Sequence, residues 1–223
     1  NFIKFNKPQD RLFAGQIDRM DRFALRYRAR KYQSEQYRMP WSGLRGQRTS
    51  LIPHQLHIAH DVGRRHAPRV LLADEVGLGK TIEASLVLAQ KWAERRRKLL
   101  LIAPATLRKQ WSQELEEKFS LPSMIMEAKS FNESKKAGVA NPFDLERASG
   151  KPAICICSYE FAARKESELQ RIPWDLVVMD EAHKLRNVYK SDGAKTAKVL
   201  DNALMGIKKV LLSATPLQNS MLE

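Results

Sequence analysis

Apolar positions along this chain follow two alternating rhythms. Short continuous runs read as strands buried on both faces: Val70 to Ala73, Lys98 to Pro104, Ala153 to Cys157, Trp174 to Met179 and Lys209 to Ser213. A further short strand is expected at Met124 to Met126. Between them lie stretches of helical period. Residues 80 to 96, Thr106 to Phe119, Tyr159 to Gln170 and Gly193 to Leu204 each repeat apolar residues every three or four positions. Leu107, Trp111, Leu115 and Phe119 make an unbroken i, i+4 stripe. Leu51-Ile-Pro-His-Gln-Leu-His opens another helix, with Pro53 placed early, where its missing N–H costs nothing. Strands alternating with helices of this length predict an α/β fold, a mostly parallel sheet with helices on both faces.

Two stretches break the rhythm. Residues 128 to 150 lose periodicity and gather Lys, Ser, Asn and Gly, which predicts a surface insertion. Residues 1 to 48 read as a basic helical arm and linker ahead of a main domain at 49 to 223. The arm is helical from Asp10 to Tyr37, with Leu12, Ile17, Met20, Phe23, Ala24 and Tyr27 at helical spacing. The linker is Met39-Pro-Trp-Ser-Gly-Leu-Arg-Gly. Arg19, Arg22, Arg26 and Arg30 fall on a neighbouring stripe, which suits either a phosphate backbone or plain solvent.

Charge sharpens the choice of partner. The net charge is +14, an excess that favours nucleic acid through phosphate neutralisation and counterion release. It does not separate DNA from RNA. No run of eighteen uncharged apolar residues predicts a membrane span, and no membrane partner is expected. The opening Asn1-Phe-Ile-Lys-Phe-Asn-Lys lacks the apolar core of a signal peptide and an initiating Met, as expected of a piece of a longer protein. Cys155 and Cys157 alternate across one strand, too close for an ordinary disulfide and too few for zinc, so a reducing cytoplasm is expected. His54, His57 and His60 recur every three residues, but no Cys or carboxylate completes a metal set with them.

The chemistry concentrates at strand ends. After Val70 to Ala73 comes Asp74-Glu-Val-Gly-Leu-Gly-Lys-Thr81. Gly77 and Gly79 let the backbone bring its N–H groups close to phosphate oxygens, and the helix that follows points its positive end there. Lys80 can reach β- and γ-phosphates, and the Thr81 hydroxyl can ligate Mg²⁺. Asp74 stands where the generic phosphate-loop pattern wants glycine, so Asp74, Glu75, Val76, Gly77, Leu78, Gly79, Lys80 and Thr81 form a variant loop. Asp180 follows four apolar residues, the context of a carboxylate that holds Mg²⁺, and Glu181 can orient or deprotonate an attacking water. His183 either couples this site to Thr215 or caps local structure. Ser213-Ala-Thr215 follows the last strand. Gln55 offers a donor and an acceptor together, which suits an adenine edge. In open parallel sheets such post-strand segments converge at the carboxyl end.

Taken in order, Asp74 to Thr81, Asp180-Glu-Ala-His183 and Leu212-Ser-Ala-Thr-Pro-Leu-Gln-Asn219 resemble the Swi/Snf-type ATPases of helicase superfamily two, where Asp in place of the first glycine is the family's own variant. Ile52-Pro-His-Gln55 resembles the family's adenine-reading motif. Pro104-Ala-Thr-Leu-Arg-Lys-Gln-Trp111 and Ser158-Tyr-Glu160 resemble its motifs Ia and Ib, which touch a nucleic-acid strand. That makes Pro104, Gln110, Trp111, Ser158 and Tyr159 nucleic-acid candidates. The arm from Lys7 to Phe23 is similar to the segment ahead of the motor in bacterial RNA-polymerase-associated ATPases. The resemblance implies the first RecA-like lobe of a two-lobe motor that uses ATP and Mg²⁺ to translocate on double-stranded DNA. The second lobe, with its arginines, would complete the site. Motors of restriction or phage-defence systems share these motifs, and a nucleotide-gated module docking on RNA polymerase is the non-enzymatic alternative.

Overall fold

The computed structural model describes residues 19–38, 43, 48, 50, 52–65, 69–73, 79–185 and 195–214. Asp74 to Leu78, Thr215 and the arm before Arg19 lie outside the described residues. The chain divides into two units, Asn1–Met39 and Pro40–Glu223. The division falls ahead of the expected boundary near residue 48 because the linker bonds to the main unit: Gly43 N–H donates to Gln90 Oε1 (2.9 Å) and Arg48 N–H to Lys118 O (2.8 Å).

In the first unit, helix α1 (Met20–Arg38) carries apolar residues on several sides rather than one. Met20, Phe23, Leu25, Tyr27 and Tyr32 are all exposed.

Among the described residues the second unit is built on six parallel strands. In chain order these are β1 (Arg69–Leu72), β2 (Leu99–Ile102), β3 (Ser123–Ile125), β4 (Ile154–Cys157), β5 (Leu176–Met179) and β6 (Lys209–Leu212), lying side by side as β1-β6-β5-β2-β4-β3. Leu101 pairs with Val178 on one side and Ile156 on the other. Every residue of β2, β4 and β5 is buried, the signature of a sheet covered on both faces. Period-two alternation then divides the core. Leu99, Leu101, Ile154, Ile156, Leu176 and Val178 face helices α3 (Lys80–Ala93) and α4 (Arg108–Phe119), meeting Val87, Trp111, Leu115 and Phe119. Leu100, Ile102, Cys155, Cys157, Val177 and Met179 face the other side. There they pack beneath α5 (Ala128–Lys136), α6 (Leu145–Ser149), α7 (Tyr159–Arg164), α8 (Glu166–Gln170) and α9 (Lys195–Ala203). Helix α2 (Pro53–Arg64) packs on α3.

Three expectations are revised. Strand β1 is not buried throughout: only Leu72 is, and Leu71 is 47% exposed. It lies at the sheet edge, paired only with β6 among the described strands. Residues 128–150 are not a surface insertion. Phe131 and Phe143, each 1% exposed, stack edge-on at 5.5 Å and meet Phe161 and Trp174 at 5.8 to 6.3 Å. Lys129, Lys135 and Lys136 are exposed around these aromatic anchors, whereas Asn141 bonds inward, donating to Glu168 O (2.7 Å) and accepting from Phe143 N–H (3.1 Å). The expected helix Tyr159 to Gln170 breaks at Lys165, whose ammonium sits 4.5 Å from the Phe131 ring centre.

Candidate nucleotide site

All strands being parallel, their carboxyl ends open on one side of the sheet, and a cleft of about 350 Å³ lies there. Gly79, Lys80 and Thr81 line it from the start of α3, Asp180 and Glu181 from the end of β5, Ala214 from beyond β6, and Gln110, Trp111, Glu114 and Lys118 from α4. Residues separated by a hundred positions in the chain thus share one wall.

Helix α3 begins where Gly79 adopts φ +89°, ψ 31°. That left-handed turn favours glycine, and space demands it as well: a Cβ there would lie 2.2 Å from Gln55 Nε2. Gln55 is 4% exposed on α2, so its amide packs directly against the entrance to the phosphate-side helix.

Asp180 is gripped at four points. Trp111 Nε1–H donates to Oδ2 (2.8 Å), and the Glu181 N–H donates to Oδ1 (2.8 Å). The Asp180 main-chain N–H donates to Ile102 O (2.8 Å), and its carbonyl accepts the Tyr159 hydroxyl (2.6 Å). Burial pushes the Asp180 carboxyl above the usual aspartate range, with the Glu181 charge adding to the rise. The Trp111 and Glu181 N–H donors and the Lys80 charge act against it. Tyr159 is 3% exposed; burial and the carboxylates of Asp180 and Glu181 push its phenol far up, so it stays a neutral donor.

Glu181 has φ +54°, an uncommon conformation for a non-glycine residue. Strain of this kind costs on the order of 1–3 kcal/mol and persists where surrounding bonds dictate it. Here the Glu181 N–H is committed to Asp180 and its carbonyl accepts from Lys184 N–H (3.0 Å). The side chain reaches His183, with Nδ1 and Oε2 3.0 Å apart, inside the 3₁₀ turn Ala182–Leu185. Ser213, 3% exposed, donates its N–H to Leu72 O (3.1 Å), tying the end of β6 to the end of β1.

The nucleic-acid candidates divide. Gln110 is exposed on α4 and donates to Glu114 Oε1 (3.0 Å). Pro104 is buried. Ser158 is 7% exposed and caps α7 by accepting from Phe161 N–H (3.1 Å). Trp111 and Tyr159 turn inward onto Asp180. The side chains of Trp111 and Tyr159 thus bond to Asp180, and that of Ser158 to its own helix. Sequence reasoning took Trp111 as part of an apolar stripe and as a nucleic-acid candidate, and missed its bond to Asp180. The available signal was chemical: a buried indole carries an N–H that needs an acceptor.

The donors fit a magnesium nucleotide. Asp180 and Thr81 present hard oxygens on one cleft, beside the cationic Lys80. Among the described residues no cluster of three or more His, Cys, Asp or Glu could cage a metal alone. A single carboxylate with a hydroxyl matches Mg²⁺, which takes few protein ligands and completes its shell with phosphates and water. No helix among the described residues is long and apolar enough to cross a membrane.

Comparison with known proteins agrees with this arrangement. The model of the SNF2-related domain matches residues 24–223. The RNA polymerase-associated protein RapA of Cronobacter sakazakii is 53% identical over 227 residues, covering 98% of this chain. That of Klebsiella pneumoniae is 53% identical over 230 residues, again covering 98%. The chain spans 22% of the length of either relative. Among solved structures, the Sulfolobus solfataricus SWI2/SNF2 ATPase core in complex with dsDNA aligns with TM-score 0.59 at 22% identity, over 78% of this chain and 34% of that one. That likeness speaks for the shared fold. With the domain match running from residue 24 to the last residue and relatives at this identity, the chain belongs to the SNF2-related domain family.

Proposed function

We propose that this chain is the ATP-binding lobe of a DNA-dependent ATPase that couples hydrolysis to translocation along double-stranded DNA and so remodels protein–nucleic-acid complexes. The observation that carries the reading is the convergence of Lys80, Thr81, Asp180 and Glu181 on one cleft. Lys80 would meet the β- and γ-phosphates, and the glycine-bearing sequence Asp74 to Gly79 just before it is the pattern that suits a phosphate cradle. Thr81 and Asp180 would hold Mg²⁺, which would supply charge neutralisation at the phosphates. Glu181 orients the attacking water and takes its proton, and its contact with His183 sets the carboxylate's direction. Gln55, with a donor and an acceptor on one amide, would read the adenine edge. His183, Ser213 and Thr215 link the nucleotide site to motion against the second lobe, whose arginines complete catalysis.

The RNA polymerase-associated relatives favour RNA polymerase as the complex acted upon, in a bacterial cytoplasm. The test is ATP turnover by the full-length protein with and without duplex DNA, beside Lys80→Ala and Glu181→Gln. Strong duplex stimulation lost in both variants is expected. Turnover indifferent to duplex would overturn the DNA reading in favour of RNA or a protein partner.

A further inference from the structure

We infer that Trp111 is a positioning residue for the metal-binding carboxylate: its indole N–H fixes Asp180 Oδ2 in the cleft, so that α4 helps set the affinity of the site for Mg²⁺. The inference rests on the proposed role of Asp180.

The contact is built, not incidental. Trp111 is 2% exposed and packed in the core with Leu115 and Phe119, with one edge on the cleft. An indole can only donate, and the acceptor it meets at 2.8 Å is a carboxylate oxygen, the stronger, charge-assisted kind of partner. The other oxygen is held at 2.8 Å by the Glu181 N–H. Two donors on opposite oxygens fix the carboxylate plane against rotation about its terminal torsion, which is soft when left alone. Each oxygen keeps a further lone pair for a cation or its water. The main-chain grip through Ile102 and Tyr159 fixes where the residue sits; the Trp111 indole and the Glu181 amide fix how its carboxylate is turned. Partners of this kind behind a metal ligand typically govern metal affinity by about 10–100-fold.

A merely structural indole predicts something else. Its loss would lower stability and leave the metal affinity of the folded protein alone. The experiment therefore measures Mg²⁺ affinity rather than turnover, in the full-length protein, by titrating MgCl₂ into protein with a fluorescent ATP analogue. Three variants are compared: Trp111→Phe, the sulfur isostere benzothienylalanine placed at 111, and Asp180→Ala. The isostere keeps ring size and removes only the N–H, so it stays informative if Trp111→Phe fails to fold. The expected result is Mg²⁺ affinity about ten-fold weaker in the isostere, with nucleotide binding in EDTA unchanged and Asp180→Ala weaker still. Affinity within two-fold of the parent in the isostere, with Asp180→Ala still impaired, would overturn this inference and leave the proposed role of Asp180 standing. Unchanged affinity in Asp180→Ala would overturn both.

Discussion

Replacing Gly79 by alanine adds one methyl at the tightest point of the site, and the structure lets its cost be divided into parts. The first is conformational: φ +89° places an L-residue in the left-handed region, at roughly 1–2 kcal/mol. The second is steric. The new Cβ would lie 2.2 Å from Gln55 Nε2 and 3.4 Å from its Cδ, so the amide has to swing away. Gln55 is 4% exposed, and disturbing a buried polar group costs about 1–3 kcal/mol. Against these, alanine loses less chain entropy on folding, worth about 0.4–1 kcal/mol. The net is a destabilisation of about 2–3 kcal/mol, which for a chain of this size lowers Tm by roughly 5–10 °C. Gln55→Ala should remove the steric share, so the Gly79→Ala penalty should shrink to the conformational part in that background. A double-mutant cycle followed by urea denaturation and circular dichroism reads this as a coupling of about 1–2 kcal/mol. A coupling indistinguishable from zero would refute the contact between Gln55 and the start of α3.

Phe143→Ala tests the reassignment of residues 128–150: an aromatic 1% exposed should cost about 3–5 kcal/mol in denaturant unfolding, whereas a surface insertion would lose under about 0.5 kcal/mol. Asp180 sets a pH dependence whose sign follows from its raised pKa. The fold binds this proton more tightly than the unfolded chain does, so protonating Asp180 adds stability as pH falls into its raised range, and ionisation costs stability above it. In metal-free buffer, Asp180→Asn should lose that acid-side gain relative to the parent; parallel stability curves across acidic pH would contradict it.

What the sequence could announce depended on whether neighbours in space were also neighbours in pattern. Strands β2, β4 and β5 were readable because burial on both faces writes an unbroken apolar run. The same kind of run at Val70 to Leu72 misled, because an edge position exposes residues that look like core. Phe131 and Phe143 were lost among polar residues: two anchors twelve positions apart have no period, and only the fold brings them within 5.5 Å. At the site, Lys80, Thr81, Asp180 and Glu181 were legible because the spacing of glycines and acids after strands is itself chemistry. The grip on Asp180 was not, since Trp111 and Tyr159 stand 69 and 21 residues away from it. Nor was the left-handed backbone of Glu181, for glutamate has no leaning toward that conformation and adopts it here because hydrogen bonds on either side require it.

The edge position of β1 has a thermodynamic consequence. The segment proposed to meet phosphate follows in sequence a strand joined to the sheet by its pairing with β6 and by the Ser213–Leu72 bond. With half of Leu71 in solvent and Leu72 its one buried residue, less apolar area opposes its separation than holds β2 or β5. Local opening of such an element needs less free energy than opening β2 or β5, so its amides should exchange with solvent ahead of theirs. A nucleotide bound as proposed stabilises the intact site by RT ln(1 + [L]/Kd) against every opening that destroys it, so the easiest such opening, that of β1, rises by the same amount as global unfolding. Nucleotide would therefore act on this lobe as a missing piece of its own architecture, seaming the outermost strand to the sheet whenever the site is filled.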